Sequence, residues 1–155
     1  AGLPPGLGDP VFGKLDARIA GAMVSIGAVK GVELGSGFAA ASGRGSSNND
    51  EPVPATATPT ALPPGIPALG FKTNHAGGTL GGISTGFALE FRVAFKPVPS
   101  IAKKQRTVDR QGMVRDLVIR GRHDVCIVPR AIPVVEAMIA LVLADLLLLN
   151  RCARI

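Results

Sequence analysis

From residue 133 to 149 the chain is apolar apart from Glu136 and Asp145, and no other stretch limits the fold as strongly. Pro133 suits a first helical turn, so a helix is predicted from there to about residue 149. It is apolar nearly all round, and such a helix needs cover on all sides. Layers of sheet would supply it. A membrane span is the competing reading. Each charge near a bilayer centre costs about 2.5–3.5 kcal/mol, only one of the two carboxylates can lie near an end, and the run is barely long enough. A buried helix is therefore expected, with no membrane partner.

Just before this run stands Gly121-Arg122-His123-Asp124-Val125-Cys126. A cation, an imidazole and a carboxylate at the mouth of a buried element are costly to place unless something charged is held there. A polar turn closing a strand would also use such residues.

The 155 residues suffice for one domain with a real core, and 46% of them are apolar. Tyr and Trp are absent, so Val, Ile, Leu, Ala and Phe must build that core. Net charge is +6 and pI about 10.0, which favours anionic partners. Nucleic acid is not expected, because aromatic–basic interleaving, zinc-finger spacing and long basic runs are all missing. Lys103, Lys104 and Arg106 read as a solvated loop. Cys126 and Cys152 form no disulfide framework, and His75 and His123 lack zinc spacing, so a reduced cytoplasmic protein without metal is the simpler reading. The opening Ala-Gly-Leu-Pro-Pro has no basic-then-apolar leader; the sequence reads as a piece of something longer.

Asp9 before Pro10 is a good N-cap signal, and Val11, Phe12, Leu15, Ile19, Ala22, Met23 and Ile26 recur at helical spacing. A helix is predicted over about 10–26, stopped by Gly27 and Gly31. A short strand follows from about 31 to 38. Gly35-Ser36-Gly37-Phe38-Ala39-Ala40 mimics a dinucleotide-binding turn, but a polar loop follows where an apolar helix is needed, so that reading is rejected. Residues 42–70 are rich in Pro, Ser and Gly and read as a flexible or variable loop.

Residues 73–86 carry paired glycines. They make either a hairpin bend or a loop whose amides meet an anion or a planar ring. Phe87, Leu89, Phe91, Val93 and Phe95 alternate with Ala88, Glu90, Arg92 and Ala94, the pattern of a strand with one buried face. It runs into Lys96-Pro97-Val98-Pro99-Ser100, whose prolines fix an extended backbone and leave Lys96 and Ser100 to offer a cation and a hydroxyl. Residues 106–109 and 116–120 read as further extended pieces.

Several blocks together resemble the C-terminal part of the chorismate synthase family. They are Gly6-Leu7-Gly8-Asp9-Pro10-Val11-Phe12, Leu15-Asp16-Ala17, Ala28-Val29-Lys30-Gly31-Val32-Glu33, residues 73–84, 96–100, 106–108, 121–126 and 129–138. The resemblance implies an α+β fold with helices sandwiched between antiparallel sheets, of which residues 1–155 are the C-terminal part. It also implies a carbon–oxygen lyase of the shikimate pathway, the route to aromatic amino acids. The family converts 5-enolpyruvylshikimate 3-phosphate to chorismate by 1,4-anti elimination and requires reduced FMN, with NADPH as the source of electrons and a cytoplasmic homotetramer as the complete form.

By the same resemblance Gly27, Ala28, Gly81, Lys96, Pro97, Val98, Pro99, Ser100 and Arg122 are flavin contacts. Lys96 and Arg122 balance anionic charge, and Asp124 is the candidate for relaying a proton, with Arg122 as its neighbouring cation and burial opposing its charge. Gly27 stands where Asn is common, Val98 where Thr is frequent, Val125 where Pro follows the Asp, and Leu146 where His is common. The family's N-terminal half carries both catalytic histidines, a flavin segment and phosphate-binding arginines; none is here, and His75 and His123 do not replace the histidines. The chain therefore reads as half an active site, with the N-terminal half of the same enzyme as its partner and little turnover expected alone. A non-catalytic flavin- or phosphate-binding module on the same scaffold is the alternative.

Overall fold

The computed structural model describes residues 2–54 and 69–153. Within them the elements are α1 (Leu15–Ser25), β1 (Val29–Leu34), a 3-10 turn (Gly37–Ser42), a one-turn helix α2 (Gly45–Asn48), β2 (Pro52–Pro54), β3 (Leu69–Phe71), β4 (Thr79–Leu80), β5 (Ile83–Ser84), β6 (Phe91–Phe95), β7 (Gln105–Val108), β8 (Val114–Leu117) and α3 (Val128–Ala153). The strands pair antiparallel as β1–β6, β2–β3, β4–β5 and β7–β8. Mixed helices and small antiparallel sheets make this an α+β fold, as expected.

The core lies between α1 and α3. Leu15, Ile19 and Met23 fall on one face of α1 and are fully buried, with Leu7 and Leu146 closing the cluster. Val32 and Val93 of the β1–β6 pair and Leu89 pack on its other side. The helices run antiparallel, because Arg18 near the start of α1 pairs with Asp145 near the end of α3, Nη1 to Oδ2 at 2.6 Å. Leu146, where the family resemblance leads one to expect His, is the one buried residue described on α3.

Several boundaries differ from those predicted. Helix α1 starts at Leu15, not near Pro10. Residues 9–13 fold into a tight turn instead: the Asp9 N–H donates to the Gly13 carbonyl and the Phe12 N–H to that of Pro10, both at 2.9 Å. Asp9 is thus not the N-cap. Lys14 occupies that position without a side-chain bond, and the orphan Leu15 N–H is taken by the Gly82 carbonyl at 2.7 Å.

Strand β1 begins at Val29 and ends at Leu34, where Gly35 turns left-handed at φ +53°. A six-residue 3-10 turn follows, in place of the apolar helix that a dinucleotide site needs. Strand β6 spans only the second half of the alternating run. Phe91, Val93 and Phe95 face inward as expected, while Phe87 meets Phe71 edge-on with ring centroids 5.1 Å apart. Strand β8 starts at Val114, earlier than predicted. Asp109 Oδ1 accepts the N–H groups of Gln111 and Met113, and this sets the register of Val108 opposite Val114. The expected loop at 42–70 holds α2, β2 and the start of β3; its residues 55–68 lie outside the described ones.

Helix α3 begins at Val128, so Pro133 sits inside it rather than in its first turn. The larger correction concerns cover. The helix packs by one face only, through residues such as Val135, Met138, Ile139, Val142 and Leu143. Val134, Leu141, Leu148 and Leu149 are exposed; among the described elements α1 makes the main contact with this helix, and the segment around Leu7 closes over its end. By length and composition alone this helix could also cross a membrane.

Candidate functional site: a corner between the first turn and the last helix

The end of α1 builds the first part of the site. The Val29 N–H donates to the Ile26 carbonyl at 3.2 Å, closing a four-residue turn around Gly27 and Ala28. Ala28 sits at φ +73°, a conformation that favours Gly and is strained for a residue with a Cβ. Its carbonyl accepts the Lys96 N–H at 2.8 Å. The turn is thereby fastened to the end of β6, where the exposed Lys96 starts the stretch Lys96, Pro97, Val98, Pro99, Ser100. Pro99 ends it firmly: its carbonyl accepts the Ile101 N–H and the Gln105 side-chain amide. At Gly27 nothing lies within 4 Å of where a Cβ would be, so a longer side chain has room there.

A cleft of about 260 Å³ opens beside this corner, between β6 and the first turns of α3. Phe91, Val93 and Phe95 form one wall; Val128, Ile132 and Val135 form the other, with Glu136 beside them. Asp124 lies just upstream of Val128, in an exposed irregular segment with Arg122 and His123. Its carboxylate Oδ2 meets Nη1 of Arg130 at 3.0 Å. The cation that holds Asp124 is thus Arg130, not Arg122. The sequence signal was there in Pro129-Arg130 at the helix start, but nothing in the spacing favoured Arg130 over the nearer Arg122.

Gly81 does not join this corner. It forms the tip of the β4–β5 hairpin with Gly82, at φ +59° and +86°, the two left-handed residues that a tight hairpin turn requires. That hairpin docks on the start of α1, where a Cβ on Gly82 would strike the Lys14 side chain. Eleven helical residues, about 16 Å of helix, separate the two ends of α1. The described residues therefore bring Gly27, Ala28 and Lys96 together at the end of β6, place Asp124 four residues before the Val128 that lines the β6–α3 cleft, and leave Gly81 at the far end of α1.

One constellation escaped the sequence reading. Asp50 accepts three hydrogen bonds: from the Thr73 hydroxyl at 2.6 Å, the His75 N–H at 2.7 Å and the Ala76 N–H at 2.8 Å. Desolvation is the largest single influence on its carboxyl and raises the pKa. The bonds from Thr73, Ala76 and His75, with the nearby imidazole, outweigh it and hold the pKa below 3.8. The Ser36 hydroxyl lies 3.1 Å from His75 Nδ1, and the Ser36 N–H donates to the His75 carbonyl at 2.8 Å. This knot fixes the base of the glycine-rich segment. Its only sequence signal was an Asp at the end of a polar loop.

Comparison with known proteins bears on this geometry. The family model described as chorismate synthase matches residues 1–148. The chain is 58% identical over 149 residues to the chorismate synthase of Desulfovibrio desulfuricans, covering 96% of this chain and 39% of that protein. It is 57% identical over 149 residues to that of Archaeoglobus fulgidus, with the same two coverages. A crystal structure of chorismate synthase superposes with a TM-score of 0.71 at 36% identity, over 96% of this chain and 35% of that one. The chain thus spans well under half the length of the relatives it matches. With its family match running from residue 1 to residue 148 and its fold shared with a solved member, the chain belongs to the chorismate synthase family.

Proposed function

We propose that this chain supplies the C-terminal part of a chorismate synthase active site, in an FMN-dependent lyase that converts 5-enolpyruvylshikimate 3-phosphate to chorismate and phosphate. The observation that carries it is the corner where the strained Ala28 turn is bonded to Lys96 beside the β6–α3 cleft, in a segment 58% identical to a chorismate synthase. Strained backbone of this kind clusters at ligand sites. The open main chain at Gly27 and Ala28 and the exposed ammonium of Lys96 fit the edge of an anionic planar group such as FMN. Gly27, Ala28 and Lys96 would hold reduced FMN, which would supply electron density for the departure of phosphate.

The chain's own residues then have distinct tasks. Lys96 balances the negative charge of cofactor and substrate. The stretch Pro97, Val98, Pro99 and Ser100 presents a rigid extended edge. Arg122 offers a planar fork to phosphate or carboxylate. Asp124, held by Arg130, relays the proton. Gly81 contributes from the opposite end of α1, to a part of the site that the rest of the enzyme completes. In the complete enzyme we place this unit in a cytoplasmic homotetramer whose FMN is kept reduced at the expense of NADPH.

The test is a chimaera in which residues 1–155 replace the matching segment of the Desulfovibrio desulfuricans enzyme. It is assayed anaerobically with reduced FMN and substrate for chorismate and released phosphate. The chimaera should turn over while the 155-residue chain alone does not, and Asp124→Asn in the chimaera should lower kcat by about 100-fold or more. A chimaera that binds flavin yet releases no phosphate would replace this reading with a non-catalytic flavin- or phosphate-binding module.

A further inference from the structure

The turn before α1 has a property that the catalytic reading does not use. The Phe12 N–H bonds the Pro10 carbonyl at 2.9 Å, closing a three-residue turn centred on Val11, whose φ is +65°. This is the uncommon, strained form of the γ-turn. A β-branched residue at its centre is an outlier. The turn is locked from both ends: the Asp9 N–H donates to the Gly13 carbonyl, and a Cβ on Gly13 would lie 2.7 Å from Asp9 Cβ. All this rigidity holds out two apolar side chains. Phe12 is 95% exposed and Val11 66%.

A single exposed apolar residue needs no explanation. A strained turn that presents two of them is different, because strain persists only where something over-determines it. Polar and apolar groups mix in the neighbourhood. Asp9 shares a small recess with Leu149 and Ala153 at the end of α3, and Asn150 there donates its side-chain amide to the Gly6 carbonyl at 3.0 Å. Leu148 and Leu149 are exposed on the same end of the helix.

We propose that Phe12 is an aromatic anchor by which this segment docks onto the remaining part of a complete chorismate synthase. The inference rests on the reading that such a part accompanies it. One observation favours that occupant: the matched region is 39% of a relative's length, so more of that relative lies outside the region than within it. Buried aromatic anchors dominate the energetics of such contacts.

The test reads burial, not turnover. In a background where the exposed Cys126 and Cys152 are changed to Ser, Phe12→Cys is compared in the chain alone and in the chimaera. A thiol reagent should label it freely in the chain and about 100-fold more slowly in the chimaera. Val11→Cys, which keeps Phe12, should show the same contrast. Phe12→Ala should leave the melting temperature of the chain unchanged and lower that of the chimaera. Equal labelling rates at both positions overturn the proposal. So does protection that appears in the chain alone as its concentration rises, which would assign the turn to a second copy. An inactive chimaera with both positions protected would sink the catalytic reading and leave this one standing.

Discussion

Replacing Gly35 by Ala should be among the most damaging single changes in the chain. The residue has φ +53°, and an added Cβ would lie 2.0 Å from the His75 carbonyl oxygen, 2.5 Å from the Gly77 nitrogen and 2.7 Å from the His75 carbonyl carbon. All three are backbone atoms, so no side-chain rotation can relieve the clash. Nor can the backbone retreat easily. The Gly35 N–H is bonded to Glu90, the Ser36 N–H holds the His75 carbonyl, and Asp50 pins His75 and Ala76 from the other side.

Gly81→Ala is the control. It has a similar φ of +59° but nothing within 4 Å of the new Cβ. It should cost only the left-handed penalty, about 1–2 kcal/mol. Gly35→Ala carries that penalty plus the steric conflict and should exceed about 4 kcal/mol, a loss that only a named structural defect produces. Urea unfolding followed by far-UV circular dichroism measures both, provided the slopes agree. If the two variants lose stability to within about 1 kcal/mol of each other, the close approach of residues 35 and 77 is not what holds the glycine-rich segment.

Two further outcomes follow from the packing and the charges. Leu146→Ala removes the only buried side chain described on α3, from among Leu7, Leu15, Ile19 and Met23, and should cost about 2–5 kcal/mol in the same urea titration; a loss below 1 kcal/mol would mean that α3 is not seated on α1. Asp50 ionises below its usual 3.8 when folded, so its stabilisation is fully present above that pH and fades as pH falls through the lower folded value. The stability gap between wild type and Asp50→Asn should therefore narrow on acidification below 3.8, and a gap that stays constant would show that charge plays no part in the knot.

Local patterning was readable wherever one period dominated. The inward set Leu15, Ile19 and Met23 of α1, the alternation of Phe91, Val93 and Phe95, and an extended piece, expected at 106–109 and found at 105–108, were visible in the sequence. What escaped was set by contacts distant in the chain. Nothing near Leu15 says that its N–H is satisfied by Gly82, so the Asp9-Pro10 signal looked like the cap. The partner of Asp124 was misassigned for a related reason: two arginines flank it, and only the path of the chain into α3 decides between them. The candidate site residues were drawn from the family pattern, and that pattern does not reveal that Gly81 and Lys96 sit at opposite ends of one helix. Cover for α3 could not be deduced at all, because hydropathy states that a helix wants burial and not what supplies it.

The borrowed cap of α1 has a kinetic consequence. A helix this short gains little from propensity alone, and its first amide waits for a carbonyl on the β4–β5 hairpin. Secondary structure here is thus contingent on a distant loop arriving, so the earliest stages of folding should show α1 frayed at its leading end. Changes at Gly82 would then slow collapse of a segment they do not adjoin in sequence, the behaviour expected where loop closure precedes reward.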